Sequence, residues 1–247
     1  MPSEQFVEIL FNGSKLTVSY KIKGTAESAI VYLHGLGNNK DDFPQLWSAL
    51  AEKQHSILCY DAIGFGNSSK PKDFSYSMQD QAIVLNKLLE KLAIEKAVLV
   101  GYSMGGAIAL RFHQLFPEKV VSFLSVEGNL TSNDAHLSRI IALQEWSEFL
   151  VSGFNQLKAF KWECTPFSVY HSAVNLVKET DSGELLKEFL GMQKPKYYIF
   201  GEKNSDGVSQ TLMRIKKIPT IMISNSSHSF KKDNPKELCE KIAELIE

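Results

Sequence analysis

Short apolar runs alternate along this chain with longer stretches whose apolar residues recur every three or four positions, and few architectures accommodate that rhythm. Runs at residues 29–33, 56–60, 97–100 and 120–126 each suit one buried strand, while residues 44–53, 78–92 and 104–116 carry a helical period. Strand, helix, strand, helix implies right-handed crossovers, and so an α/β fold with a mostly parallel, twisted sheet covered by helices on both faces. Two antiparallel strands are expected ahead of this alternation, at 6–11 and 16–22, because the intervening Asn12-Gly13 favours a tight hairpin. In the stretch 78–92, Ser77 offers an N-cap oxygen, and Ala82, Leu85, Leu88, Leu89 and Leu92 fall on one helical face that should cover the sheet.

The alternation stops between residues 130 and 193. Helical patterns follow one another there with no strand between them: Leu137-Ile140-Ile141, Trp146-Phe149-Leu150, Phe154-Leu157-Phe160, Val174-Leu176-Val177 and Leu185-Leu186-Phe189-Leu190. Strand-like runs resume at 197–200 and 220–223, and a last helix opens with Asn234-Pro235 and carries Leu238, Ile242, Leu245 and Ile246 on one side. The reading is one core built from residues 1–129 and 194–247, with a helical cap inserted at 130–193. A length of 247 residues suits one large domain carrying an insertion.

Charge narrows the partners. Twenty-seven basic residues against 28 acidic ones leave a formal charge of -1, and like charges cluster no further than pairs such as Lys216-Lys217 and Lys231-Lys232, so nucleic acid is not an expected partner. Cys59, Cys164 and Cys239 are odd in number and far apart, which fits a reducing compartment. Ser3, Glu4, Gln5 and Glu8 stand where a signal peptide would need an apolar stretch, and no run of 18 apolar residues occurs. The expectation is a cytoplasmic protein with no membrane partner. Composition says nothing of its oligomeric state.

Gly101-Tyr102-Ser103-Met104-Gly105, followed by Gly106, lies where the strand at 97–100 meets the helix at 104–116. A serine on so sharp a strand-to-helix turn needs small neighbours two residues before and two after, since a Cβ at either place would collide with backbone. His34-Gly35-Leu36-Gly37 follows the strand at 29–33, Asp61-Ala62-Ile63-Gly64-Phe65-Gly66-Asn67-Ser68 follows the next strand, and Phe116-Pro117-Glu118-Lys119-Val120 leads into the one after. With these segments in place the sequence resembles the α/β-hydrolase superfamily, in particular its cap-bearing serine hydrolases of carboxylesterase type, over nearly its whole length.

The resemblance implies an α/β-hydrolase fold with Ser103 as the nucleophile and the backbone N–H groups of Leu36 and Met104 as the oxyanion hole. His34 reads as a residue that ties its loop by hydrogen bonding, and Asp61 and Ser68 read as turn and cap residues. The superfamily's order of serine, acid, histidine points to His228, between the strand at 220–223 and the last helix, as the general base. His55, His113, His136 and His171 sit before a strand, within a helix or in the cap, and compete poorly. No HExxH or paired-cysteine pattern suggests a metal, and no cofactor is expected.

The acid is left open. Most relatives place it in a Gly-x-x-Asp turn after the post-cap strand, but that turn here reads Gly201-Glu202-Lys203-Asn204, and a neutral amide favours the wrong imidazole tautomer. Glu127 ends the apolar strand 120–126 and should emerge at the carboxyl edge of the sheet, where a buried carboxylate needs a partner. That arrangement resembles the haloalkane dehalogenase branch. Asp206, two residues beyond Asn204, is the alternative, with Asp134 and Glu202 behind it.

A serine nucleophile implies acyl transfer on a small-molecule substrate, a small or medium carboxylic ester, through an acyl-enzyme. Thioester, lactone and C–C bond hydrolases share the constellation. Trp146, Phe149, Phe154, Phe160, Trp162, Phe167 and Tyr170 suggest an apolar pocket over Ser103, although a cap of paired helices must also bury aromatic residues in its own interior. Asn204 leaves room for a different class of function, a small-ligand receptor with a slow or degraded triad.

Overall fold

Strands β1 (Gln5–Phe11), β2 (Ser14–Lys23), β3 (Ser28–Leu33), β4 (Ser56–Tyr60), β5 (Lys96–Tyr102), β6 (Val120–Val126), β7 (Lys196–Gly201) and β8 (Thr220–Ile223) join in the order β1-β2-β4-β3-β5-β6-β7-β8. They come from a computed structural model that describes residues 1–25, 27–53, 55–157 and 162–246. β1 and β2 form the expected hairpin, and both turn residues, Asn12 at φ 47° and Gly13 at φ 83°, take the left-handed conformation that matches strand twist. β2 runs antiparallel to β4, and every pairing from β4 through β3 to β8 is parallel.

Helices α1 (Leu46–Ala49), α2 (Met78–Lys91) and α3 (Met104–Leu115) connect the first strands. Side chains alternate across the sheet and feed two cores. Val31, Leu33 and Leu99 face one way, with Ala82, Leu85, Leu88 and Leu89 of α2 and Leu110 of α3. Ile30, Tyr32, Val98 and Val100 face the other, with Leu46 and Trp47 of α1. The Ser77 hydroxyl caps α2 by accepting from the Asp80 N–H at 3.1 Å.

The helix expected over 44–53 shrinks to the single turn of α1. Leu46, Trp47 and Leu50 are buried as the pattern requires, but Gln45 makes no capping bond through its side chain. Three anchors and no cap do not repay the nucleation of a longer helix.

Between β6 and β7 the chain forms α4 (His136–Ala142), α5 (Trp146–Glu148), a π-helical turn at Phe149–Gly153, α6 (Phe154–Leu157), α7 (Pro166–Asp181) and α8 (Glu184–Gly191). Thr165 and Ser168 cap α7 reciprocally. The described aromatics of this segment pack chiefly on one another: Trp146 against Phe149, Phe167 and Tyr170, and Phe149 against Phe154 and Tyr170, with ring centroids 5.2–6.4 Å apart. Phe160 lies outside the described residues. After β7 come α9 (Val208–Ile215), α10 (Phe230–Asp233) and α11 (Pro235–Leu245), whose Leu238 and Ile242 enter the second core. Among the described residues no helix is long and apolar enough to cross a membrane.

Candidate active site

The turn from β5 into α3 holds Ser103 at φ 52° and ψ −118°, a conformation that L-residues avoid and that persists only where surrounding bonds enforce it. Those bonds are present. The Ser103 N–H donates to the Val126 carbonyl at 3.1 Å, and the Ser103 carbonyl accepts from Gly106 at 2.9 Å and Asn129 at 3.2 Å. A Cβ on Gly105 would stand 2.1 Å from the Leu33 carbonyl oxygen, and one on Gly101 would stand 2.7 Å from the Gly106 Cα. Neither neighbour is a flexible side-chain end. Gly105→Ala is therefore expected to destabilise the protein by about 3 kcal/mol or more, read from a denaturant midpoint, because α3 must move away from β3; an unchanged midpoint would contradict this packing.

His228 arrives on the loop after β8. Its Nε2 lies 3.1 Å from Ser103 Oγ, and its Nδ1 lies 2.7 Å from Glu127 Oε2. A carboxylate at Nδ1 requires the proton there, which leaves Nε2 as the acceptor facing the serine hydroxyl. Tyr102 supports the ring from below, stacked with centroids 5.2 Å apart, and donates its hydroxyl to the His228 carbonyl at 2.7 Å. Burial pushes the Tyr102 phenol well above its ordinary pKa, so it stays a donor.

Glu127 follows β6 directly, at φ 39°, with its N–H on the Ile199 carbonyl at 2.8 Å. It is 6% exposed. Its Oε1 accepts from the Gly201 N–H at 2.8 Å, and the Asn204 amide donates to Oε1 at 2.9 Å and Oε2 at 3.0 Å. A carboxylate this buried is satisfied at both oxygens, and the two residues of positive φ, Ser103 and Glu127, stand at the carboxyl ends of adjacent strands.

The other carboxylates are occupied elsewhere or stand apart. Asp206 lines the same cavity but is exposed and, among the described residues, makes no hydrogen bond to His228. Glu202 accepts from the Asn225 N–H at 2.7 Å. Asp134 closes its own turn by accepting from the Leu130 and Thr131 N–H groups, and also binds Ser209 at 2.7 Å.

Gly35 brings the loop after β3 against the elbow: a Cβ there would lie 3.2 Å from the Ser103 Cβ and 3.3 Å from the Tyr102 ring. Leu36 follows in that loop, and Met104 opens α3. Among the described residues neither backbone N–H has a backbone acceptor. His34 fixes the loop, with Nδ1 2.8 Å from the Gly35 carbonyl and Nε2 accepting from the Ala62 N–H at 3.0 Å. Asp61 accepts from the Lys40 ammonium at 2.9 Å and the Asn67 N–H at 2.8 Å, while Ser68 donates to the Asp61 carbonyl at 2.6 Å.

Three residues at the site escape a motif search. Tyr102 is hidden as the variable letter of the elbow. Asn129, whose Oδ1 lies 3.3 Å from Ser103 Oγ, is marked in sequence only by its place just after Glu127-Gly128. Asn204 occupies the position where an aspartate is usual, and its meaning emerges only once Glu127 is beside it.

A cavity of 740 Å³ opens over Ser103 and His228. Among the described residues Trp162 is the one aromatic of the segment between β6 and β7 that lines it, and the wall is mixed, with Leu36, Leu137 and Val208 beside Asn38, Asn133 and Gln210. The other described aromatics of that segment pack chiefly on one another.

A sequence profile of the alpha/beta hydrolase fold matches residues 28–242. The chain belongs to that family. This alpha/beta hydrolase is 34% identical over 119 residues to Lipase 3 of Moraxella sp., which covers 48% of this chain and 37% of the lipase. It is 30% identical over 129 residues to a 2-hydroxy-6-oxononadienedioate/2-hydroxy-6-oxononatrienedioate hydrolase of Paraburkholderia phymatum, covering 51% of this chain and 45% of that protein. The matches thus span less than half the length of these curated relatives. Among solved structures it resembles a bromoperoxidase from Bacillus anthracis at 18% identity and a TM-score of 0.76, over 98% of this chain and 99% of that one. An esterase from Exiguobacterium antarcticum, at 17% identity and a TM-score of 0.74 over 98% and 99%, shares the fold equally.

Proposed function

We propose that this alpha/beta hydrolase cleaves a carboxylic ester of a small or medium molecule through an acyl-enzyme on Ser103. The observation that carries the reading is the unbroken chain of contacts from Glu127 to His228 Nδ1 and from His228 Nε2 to Ser103 Oγ. In this reading His228 takes the Ser103 proton as Oγ attacks the ester carbonyl carbon. The N–H groups of Leu36 and Met104 receive the developing oxyanion. Collapse expels the alcohol with the proton returned from His228, and water attacks the acyl-enzyme by the same route in reverse.

Glu127 keeps the imidazole in the required tautomer and stabilises the imidazolium. Residues 130–193 serve as the cap over this centre. The relatives' names, a lipase and a hydrolase of an oxo-dienedioate, support bond hydrolysis and leave thioester, lactone and C–C cleavage as variants of the same chemistry. A receptor reading drew on Asn204; its amide on Glu127 is compatible with a complete triad. The three cysteines are free, which supports a reducing, cytoplasmic setting.

A fluorophosphonate probe tests the reading. Ser103 Oγ forms a bond to phosphorus, fluoride departs, and the serine proton passes to His228. Peptide mass mapping is expected to find the adduct on Ser103 of the folded protein; a protein that stays unlabelled overturns the proposal.

A further inference from the structure

We infer that the cavity selects a substrate bearing a neutral hydrogen-bonding substituent, such as a ketone or hydroxyl, and that Gln210 recognises it. The inference rests on the hydrolase reading and deepens it.

Gln210 lies in the first turn of α9, is 5% exposed, and lines the cavity. Among the described residues its side-chain amide has no hydrogen-bond partner. Two amides nearby differ. Asn129 donates to the Asp134 carbonyl, with its Oδ1 3.3 Å from Ser103 Oγ, and Asn204 donates to Glu127. A leucine or methionine would fill the same place without presenting a donor and an acceptor to the cavity.

The surroundings position that amide. Its Oε1 sits over Gly207, where a Cβ would approach to 2.1 Å, so any larger residue at 207 would displace it. The adjacent Ser209 hydroxyl binds both oxygens of Asp134, at 2.9 and 2.7 Å, fastening α9 to the loop after β6. An amide with an unpartnered donor and acceptor, turned to the cavity from a helix that is itself fastened, is suited to a polar group on the ligand. A hydrocarbon chain would leave it unsatisfied.

The experiment compares kcat/KM for two matched pairs. One varies the acyl group, p-nitrophenyl 4-oxopentanoate against p-nitrophenyl pentanoate; the other varies the alcohol, 3-oxobutyl acetate against butyl acetate. The wild type is expected to favour the oxo member of at least one pair by about tenfold, as one hydrogen bond in a desolvated site implies. Gln210→Met should bring that ratio close to one, with a thermal unfolding curve recorded to show that the variant is folded.

Equal rates within both pairs in the wild type, or a preference that survives Gln210→Met, would overturn the inference while leaving the acyl-enzyme intact. If the wild type turns over none of the four esters, the hydrolase reading is what fails. Calorimetric binding of 4-oxopentanoate and pentanoate to Ser103→Ala protein then decides the role of Gln210 by itself: tighter binding of the oxo acid, lost on adding Gln210→Met, supports it, and equal binding refutes it.

Discussion

Ser103→Ala protein is expected to hydrolyse p-nitrophenyl esters on the order of 10⁶-fold more slowly than the wild type at saturating substrate, with its fold intact. The size follows from what is removed. Without Oγ there is no acyl-enzyme, and His228 has no hydroxyl to deprotonate, so what survives is the contribution of the oxyanion donors and of binding. Alanine also carries a Cβ in the same strained backbone, so the substitution relieves nothing and blocks nothing. Steady-state turnover and far-UV circular dichroism together check the expectation; a loss below about tenfold would mean that another group performs the attack.

The second large effect concerns the acid. Glu127→Gln should lower kcat by about 10⁴, whereas Asp206→Asn should leave it within about threefold. The glutamine is nearly isosteric, so the contacts of the site are tested by chemistry rather than by shape. Its amide nitrogen can donate to Nδ1, which stabilises the tautomer with the proton on Nε2 and turns the base away from Ser103. It also sets a donor against the Gly201 N–H or the Asn204 amide, both of which already donate to this side chain at 2.8–3.0 Å. Measured kcat for the two variants separates the assignments. The opposite pattern, with Asp206→Asn crippled and Glu127→Gln active, would require the β7 loop to close on His228 during turnover and would replace Glu127 as the acid.

Much of the architecture was legible because it depends on local periodicity. The apolar runs gave strands with ends correct to within a few residues, and Ser77, Asn12-Gly13 and Asn234-Pro235 marked boundaries by chemistry that acts over three or four positions. The end of the apolar run at Val126 likewise placed Glu127 at the carboxyl edge of the sheet. Legibility failed where the outcome depends on what a segment meets in space. The stretch 44–53 has the anchors of a helix, yet it is held by only three of them and winds through one turn.

The aromatics between β6 and β7 have the spacing of a lining, but the sequence contains no record of whether a helix turns its apolar face to a ligand or to the next helix. Asn204 read as a defect for the same reason. Residues 127 and 204 are 77 positions apart, and only the parallel pairing of β6 with β7 brings the amide onto the carboxylate.

Housing the carboxylate at the tip of β6 divides labour within the molecule. Ser103 and Glu127 directly follow neighbouring strands whose ladder aligns Tyr102 with Val126, so their spacing is set by that pairing. Asp206 and Val208 face the cavity and, among the described residues, make no hydrogen bond to His228 or Glu127. Randomising those two positions tests whether selectivity can change while Ser103, His228 and Glu127 are left untouched.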